Sequence, residues 1–501
     1  MPRSSRSALK GREKVECPHF PARGRDFVII ACILAVGLAV RLPFWPSRGN
    51  FDMFSMGLWA QQMHRGSLAN AYVPDPKIDP MVWPANYPPG SLYCLALSAE
   101  IFAKITGQQP NAQDLVRILT SPSGAISRIY NLVFKAPAVL ADLATGVILY
   151  LVLRKRVSAS LAGLVGGLFL LQPALIYNSA RWGQLDALYT LPMVLSLELA
   201  TRRRYLLMTL CAVLALMMKL QPLILVPIWG LGLLLGADRE ALGPNTASLR
   251  VRVSDAVTLR RARRVGTAAG LAALIFALAC VPFMAPGVNP WKEWIYTFNL
   301  WPSLTANAFN LWGVISPLRD SDFKHWVSDG SDGTGSPAHA IGLLMLIIAT
   351  AIIVARICRR PEAPELVRWG SVALCLAAFT FPTQVHERYI HHVIAIAAWA
   401  FVPRWWWWLL WLAIGGVYAV NSLWFQPFEP DWLGADFVYR LANMRIGGLY
   451  PSQAWGAVAT AATLAVLFMP PRWWSIGTEA ADSSVMSSPS PAAVGTRKRG
   501  R

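Results

Sequence analysis

Residues 27–55 read FVIIACILAVGLAVRLPFWPSRGNFDMFS and decide how the rest of the chain is arranged. The apolar part, 27–45, is long enough to cross a bilayer, which takes about 20 apolar residues. The stretch 48–55 follows directly and places the carboxylate of Asp52 at the rim of the lipid, where an ionisable group is costly unless it faces water, a partner or a substrate. We therefore expect Asp52 to be a catalytic base. The alternative is a helix N-cap before the amphipathic run 53–63, because Asp is a favoured cap.

The composition indicates an integral membrane protein. The 501 residues are 55% hydrophobic and 15% charged, a combination that is rare in soluble domains. The net charge of +19 comes from basic residues in short loops between apolar segments, where they set topology, which argues against nucleic acid as a partner. The seven cysteines show no metal-ligand spacing and no disulfide framework. No cofactor is indicated, and a divalent metal requirement is left open.

Hydropathy and the basic loops predict an all-α polytopic membrane protein with a bundle of about twelve transmembrane helices. The predicted spans are 27–45, 129–153, 161–177, 187–199, 205–218, 223–235, 265–284, 341–354, 369–381, 390–402, 405–424 and 455–468. The predicted domains are a disordered basic cytoplasmic N-terminus over 1–26, a transmembrane domain over 27–472 and a disordered cytoplasmic tail over 473–501. With these spans every inner loop is basic, as topology requires.

Two long segments, 47–127 and 285–337, are predicted on the outer side. The first should be largely helical. Its apolar stretch 91–105 is short and carries Glu100 and Lys104 near its end, so we expect it to lie along the membrane surface without crossing.

With this topology the polar motifs emerge on the outer face, whereas a channel needs polar residues through the depth of the bilayer. This one-sided grouping predicts a site on one leaflet that acts on something lying partly in lipid. The candidate site residues are Asp52, Asn86, Tyr87, Trp182, Gln184, Asp186, Lys219, Gln221, Asn307, Asn310, His386, Glu387 and Arg388, with Lys135 inside a span.

The residue types suit one chemistry. Carboxylates such as Asp52, Asp186 and Glu387 can accept a proton or orient a base. Cationic or imidazole groups can hold a phosphate and stabilise charge that develops on it. Trp and Tyr side chains can pack against sugar faces. The set suits transfer of a sugar from a phosphate leaving group.

Each motif also has a structural interpretation. Lys219 can snorkel, and Gln221 can hydrogen-bond between helices. Lys135 and Asp142 lie seven apart in one span and can form a structural pair. The remaining motifs can be rigid or solvated turns. Their grouping on one face favours the functional interpretation of the set.

The ordered motifs of residues 27 to about 400 resemble the GT-C superfamily of lipid-dependent glycosyltransferases. The pattern is closest to bacterial relatives of the GPI mannosyltransferases and to the dolichol-phosphate-glucose-dependent glucosyltransferases of N-glycan assembly. The matching positions are Asp52, which opens the first outer loop, Tyr87-Pro88-Pro89, Lys135 with Asp142, Lys219 with Gln221 around an inserted Leu220, and Val385-His386-Glu387-Arg388. The chain has no Asp-Asp or Glu-Asp pair at Asp52, so the resemblance leaves a metal requirement open.

The resemblance implies inverting transfer of a hexose, mannose or glucose, from a polyprenyl-phosphate donor to a glycan or glycolipid acceptor. It also implies a multi-pass protein of the bacterial inner membrane whose active site faces outside, in contact with membrane lipid. Asp52 is expected to be the base. The residues expected at the donor phosphate are His386, Arg388, Lys219 and Lys135, and those expected at the substrates are Asn86, Tyr87, Trp182, Gln184, Asp186, Gln221, Asn307, Asn310 and Glu387.

Two alternatives remain. A transporter or flippase of a lipid-linked sugar predicts polar residues on both faces and a central path. An envelope assembly protein without catalysis predicts that Asp52 can be replaced freely.

Overall fold

The computed structural model describes residues 23–80, 82–120, 124–235, 259–296, 301–318, 327–361, 363–425, 440 and 444–474. Within these ranges the chain is helical and has isolated β-bridges but no strand, which confirms the all-α prediction. The α-helices of the described residues are α1 Arg23–Arg41, α2 Phe51–Arg65, α3 Pro89–Thr106, α4 Ala112–Thr120, α5 Ala125–Leu153, α6 Ala159–Leu170, α7 Pro173–Ile176, α8 Asp186–Thr201, α9 Tyr205–Met218, α10 Val226–Leu235, α11 Leu259–Cys280, α12 Pro290–Tyr296, α13 Leu311–Ile315, α14 Ala338–Arg359, α15 Pro364–Thr380, α16 His391–Trp399, α17 Trp405–Phe425 and α18 Pro451–Phe468.

Four described helices are long and apolar enough to cross a membrane, or five when a bent pair counts as one span. Their outer faces carry exposed apolar side chains, for example Leu278 on α11 and Ile347 on α14. The four helices are Ala125–Leu153, Arg261–Phe283, Ala338–Arg359 and Trp405–Trp424, and the bent pair is Ala159–Leu170 with Pro173–Trp182.

Several other predicted spans form shorter helices. The helix α16 has nine residues, which is about 14 Å at 1.5 Å per residue, whereas the hydrocarbon core is about 30 Å thick. The count of about twelve crossings is therefore not confirmed. In the structure α16 is central, because every one of its residues is buried.

The described structure extends a few residues beyond each end of the predicted transmembrane domain 27–472, whose bounds stay predictions. In the first turn of α1, Asp26 binds Tyr150 and Arg154 at the end of α5. At the other end, Trp474 is fully buried and its ring lies 5.1 Å from that of Trp406. The rest of the two predicted disordered tails, 1–22 and 475–501, lies outside the described residues.

The segment 47–127, predicted as the first outer segment, is largely helical, as predicted, and it supplies most of a second hydrophobic cluster that residues of α5 and α11 complete. Helix α3 follows Pro88, begins at Pro89 and ends at Gly107, which has a left-handed φ of 68°. Proline at the first position and glycine after the last are the expected helix ends. This helix packs against α2, α5 and α9. That it lies along the membrane surface stays a prediction.

The predicted span 161–177 is broken. Helix α6 ends at Leu170 and α7 begins at Pro173, and the two parts meet at 51°. Proline cannot continue a helix because it lacks the N–H and clashes with the preceding turn. After α7 the backbone widens into a π-helical turn over Tyr177–Trp182. This bend directs the sequence Trp182-Gly183-Gln184 toward the start of α2.

Candidate functional site

Asp52 lies in the first turn of α2 but does not cap it. The cap is Asn50, whose Oδ1 accepts the backbone N–H of Asp52 at 3.0 Å. The N-cap alternative for Asp52 is therefore wrong, because the capping side chain at the start of α2 is that of Asn50, which binds a backbone N–H of the first turn. The half-buried carboxylate of Asp52 remains available for other partners.

The carboxylate of Asp52 is fixed through one of its oxygens. Its Oδ2 accepts the indole N–H of Trp182 at 2.8 Å and the amide N–H of Gln184. Its Oδ1 accepts no hydrogen bond from any residue in the described part of the chain. A carboxylate that is held through one oxygen can still accept a proton on the other, as a general base does.

The turn that supplies Trp182 and Gln184 requires glycine between them. Gly183 has a φ of +85°, and a Cβ at this position would lie 2.3 Å from Sδ of Met53. The turn therefore packs directly against the residue that follows Asp52. A π-helical turn such as the preceding one is a feature often found at functional sites.

Lys135 stabilises the backbone behind this turn. Its buried ammonium donates to the carbonyls of Ser47 at 2.6 Å and Ala180 at 2.9 Å. The predicted structural pair with Asp142 is wrong, because Asp142 binds Arg41 at 3.0 Å and both of these side chains are buried. Lys135 thus connects the loop before α2 to the π-helical turn, and it does not line the cavity described below.

Lys219 lies in front of the turn. Its ammonium binds Asp186 at 2.6 Å and Oε1 of Gln184 at 3.3 Å, and it lies 5.0 Å from the ring centroid of Tyr87. Burial lowers the pKa of Lys219, but the carboxylate of Asp186 more than compensates and the pKa is raised. Lys219 is therefore a buried ammonium with a fixed counter-ion.

Arg388 provides a second cation. Its guanidinium donates to Glu387 at 2.9 Å and lies 5.5 Å from the ring of Trp182, the same indole whose N–H binds Asp52. Its Nε is buried and has no hydrogen-bond partner in the described residues. Burial lowers the pKa of the adjacent His386, which is therefore neutral at pH 7. Burial raises the pKa of Glu387, but His386 and Arg388 lower it by more than burial raises it, so the pKa is lowered and the carboxyl is ionised.

A cavity of about 500 Å³ collects many of the predicted residues. The predicted residues that line it are Asn86, Tyr87, Lys219, Gln221, His386 and Arg388. One wall is apolar and includes Leu223, Ile224, Leu343, Cys375 and Phe379. A cavity with cations at one end and an apolar wall fits an amphipathic molecule.

Five predicted residues do not line this cavity: the half-buried Asp52 and the buried Trp182, Gln184, Asp186 and Glu387. Trp182 and Gln184 link Asp52 to the two cations at the lining, Arg388 and Lys219.

Asn307 and Asn310 do not line the cavity. Asn310 is fully buried and caps α13, where its Oδ1 accepts the N–H of Trp312 at 3.1 Å. Asn307 has a φ of 72°, and its carbonyl accepts from Asn421 at 2.7 Å. These contacts hold the chain that runs beside His386, because Asn307 forms a backbone bridge with it.

Sequence reasoning missed a polar group at the rim of the cavity. Its members are Trp301, Asp329, His339, Thr383 and Gln384, of which all except Asp329 line the cavity. Residues 329–335 fall within the predicted segment 285–337, but no spacing in the sequence relates them to residues 383 and 384.

No protein-family model matches this chain, and no curated protein matches it. The resemblance to GT-C enzymes therefore rests on the motif residues alone.

Proposed function

We propose that this chain is a polytopic membrane glycosyltransferase. It transfers a hexose, mannose or glucose, from a polyprenyl-phosphate donor to a glycan or glycolipid acceptor. The observation that carries the proposal is the position of Trp182, which donates to the carboxylate of Asp52 at 2.8 Å and packs under the guanidinium of Arg388 at 5.5 Å. One side chain thus holds a base and a phosphate-binding cation in fixed relation.

The membrane arrangement is part of the proposal. The chain crosses the bacterial inner membrane about twelve times, with the cavity on the outer side, and the shorter helices cross as parts of broken spans. Exposed apolar side chains along α11 and α14 support a lipid environment. The apolar wall of the cavity suits the prenyl chain of the donor.

The reaction is a single displacement. Oδ1 of Asp52 takes the proton of the acceptor hydroxyl while the oxygen of that hydroxyl forms a bond to the anomeric carbon of the donor. The bond from that carbon to the phosphate oxygen breaks, and polyprenyl phosphate leaves with the electron pair. Attack opposite the leaving group inverts the anomeric centre, as with the carboxylate base of an inverting glycosidase.

The leaving phosphate is held at the cationic end of the cavity. Lys219 and Arg388 stabilise the negative charge that develops there, and neutral His386 donates a hydrogen bond. Lys135 has no part in this step, because its ammonium is bound to backbone carbonyls.

The experiment is a transfer assay with purified protein, synthetic farnesyl-phosphate mannose or glucose as the donor and an octyl hexoside as the acceptor. We expect a product of inverted anomeric configuration and release of farnesyl phosphate. Arg388→Lys keeps the charge but loses the planar fork, so it should reduce kcat by roughly 10²-fold, the loss expected for one charge-stabilising donor. A wild type that moves the lipid-linked sugar across vesicles without transferring it contradicts the proposal and favours the transporter.

Topology has a test of its own. Single cysteines placed in 286–337 should react with a membrane-impermeant thiol reagent added from outside, and those placed in 240–262 should not, because the second region is basic. The reverse labelling pattern contradicts the placement of the site on the outer face.

A further inference from the structure

The cavity rim contains a polar cluster that the proposed reaction does not use. Its centre is the buried carboxylate of Asp329 on the second outer segment. Asp329 accepts hydrogen bonds from Oγ1 of Thr383 at 2.6 Å, Nε2 of Gln384 at 2.9 Å and Oγ of Ser331 at 2.7 Å. Burial raises the pKa of Asp329, but these hydrogen bonds lower it by more than burial raises it, so the pKa is lowered and the carboxyl is ionised.

This carboxylate orients His339. Nδ1 of His339 lies 3.1 Å from Oδ2 of Asp329 and 2.9 Å from Oγ1 of Thr383. An ionised carboxylate accepts, so a ring proton is assigned to Nδ1. The side chain of His339 is 37% exposed and lines the cavity. The ring of His339 is thus fixed through Nδ1, and Nε2 is the nitrogen left for a ligand.

Gln384 is held beside it in an unfavourable backbone conformation. Its φ is +62°, its backbone N–H donates to Ser303 at 3.1 Å and its side chain also donates to Ser331 at 2.9 Å. Left-handed backbone at a residue other than glycine is costly and persists where its surroundings fix it, often at binding sites. Trp301 lines the same rim, and its ring lies 6.2 Å from that of His386 at the cationic end.

The charges of the rim differ from those of the cationic end. Asp329 binds His339 and does not itself line the cavity, so the rim offers hydrogen-bonding side chains and an indole ring. Lys219 and Arg388, by contrast, are cationic donors, and each also binds one carboxylate. Neutral directional groups beside an aromatic ring suit a polyhydroxylated molecule.

We propose that His339, Gln384 and Trp301 form a hexose subsite at the rim of the cavity. Nε2 of His339 accepts a hydrogen bond from a sugar hydroxyl, Gln384 positions a second hydroxyl, and the ring of Trp301 packs against the sugar. The subsite extends the proposed function and rests on it, because the hexose that binds there belongs either to the donor or to the acceptor glycan.

Equilibrium binding tests the subsite without requiring catalysis. The full chain in nanodiscs is titrated with farnesyl phosphate, farnesyl-phosphate hexose and an octyl hexoside. His339→Ala should lower the affinity for one of the two hexose-bearing ligands by about tenfold, the effect of one hydrogen bond. The affinity for farnesyl phosphate should not change. His339→Gln, which retains an acceptor, should recover part of the loss. An effect on farnesyl-phosphate hexose identifies the donor sugar, and an effect on the octyl hexoside identifies the acceptor.

The matched control is His64→Ala, because His64 also pairs with a carboxylate, Glu100 at 3.1 Å, but lies outside the cavity lining. It should leave all three affinities unchanged. The subsite proposal is overturned if His339→Ala lowers the affinity for all three ligands equally, or lowers the affinity for none of them. Absence of hexose transfer by the wild type overturns the proposed function but leaves these affinities measurable, so the two failures are distinguishable.

Discussion

The two ends of helix α8 each bury a carboxylate, and their surroundings differ. At the start of the helix, Asp186 binds Lys219 at 2.6 Å and accepts from Asn178 at 3.0 Å. Lys219 also contacts Gln184, which binds Asp52, and it lines the cavity.

In the last turn of the same helix, Glu198 accepts from Arg202 at 2.6 Å and from the indole N–H of Trp399 at 2.9 Å, and it also binds Arg156. None of these four residues lines the 500 Å³ cavity. The helix dipole favours the acidic Asp186 at the N-terminus of α8 and the cations Arg156 and Arg202 near its C-terminus.

A buried ion pair does not by itself mark a functional site. Both carboxylates are paired, so both pairs have a structural explanation. Among the described residues, only the first end has a member of its pair, Lys219, in the lining of the 500 Å³ cavity, and only there does the pair lie near a second carboxylate, Asp52, whose Oδ1 accepts no hydrogen bond. Four predictions test this difference.

The largest expected effect is on the catalysis assigned to the first end. Asp52→Asn keeps the shape and an acceptor for Trp182 but removes the base, so kcat should fall by about 10²–10⁴-fold. Asp52→Glu moves the carboxylate by about 1 Å and should cost about 10²-fold. Hexose transfer is measured at matched folded protein. Asp114→Asn, on the surface of α4, is the control. An Asp52→Asn variant with full activity removes the base from the mechanism.

The second prediction compares the two ion pairs. Lys219→Met leaves Asp186 buried without its cation, so the free energy of unfolding should fall by about 3–5 kcal/mol. Adding Asp186→Asn should restore most of it, and this double variant should still show a raised donor KM. Arg156→Met should cost less stability, because Arg202 and Trp399 still bind Glu198, and should leave the donor KM unchanged. Denaturation in detergent and transfer kinetics give both quantities. A normal donor KM in the double variant would make the two ends equivalent.

The third prediction separates the two lysines near Gly183. Lys135→Met leaves the carbonyls of Ser47 and Ala180 without a donor, so stability should fall by about 1–3 kcal/mol. The donor KM should not change, since Lys135 does not reach the cavity. Thermal unfolding and donor titration of the folded fraction give both values. A raised donor KM at full stability contradicts the structural role.

The smallest expected effect concerns pH. Because burial lowers the pKa of His386 in the folded chain, the unfolded chain binds a proton more readily as pH falls through the ordinary histidine range. Its contribution to stability is therefore present above about pH 6.5 and is lost toward the lower folded-state pKa. Wild type should lose stability in this window faster than His386→Gln, by at most about 1.4 kcal/mol per pH unit. Unfolding is measured between pH 7.5 and 5 without substrate, and identical pH profiles contradict the prediction.

Much of the fold was readable from the sequence. The apolar segments around 129–153, 341–354 and 405–424 became helices because long apolar runs must satisfy their backbone internally in lipid. The helical first outer segment also followed, with Pro89 and Gly107 marking the ends of α3. The break at Pro173 carried a sequence signal, yet the angle of the bend and the π-helical turn depend on packing against α5.

The residue types that the candidate site offers can be read from the sequence: a carboxylate at 52, the stretch 182–186, a lysine at 219 and the triplet 386–388. Their contacts could not be read there, because a side chain's partner is set by long-range packing. The tertiary structure made Asn50 the cap, bound Lys135 to carbonyls and placed Asp142 against Arg41. It also joined Asp329 to residues 54 and 55 positions away along the chain, a proximity that no local pattern encodes.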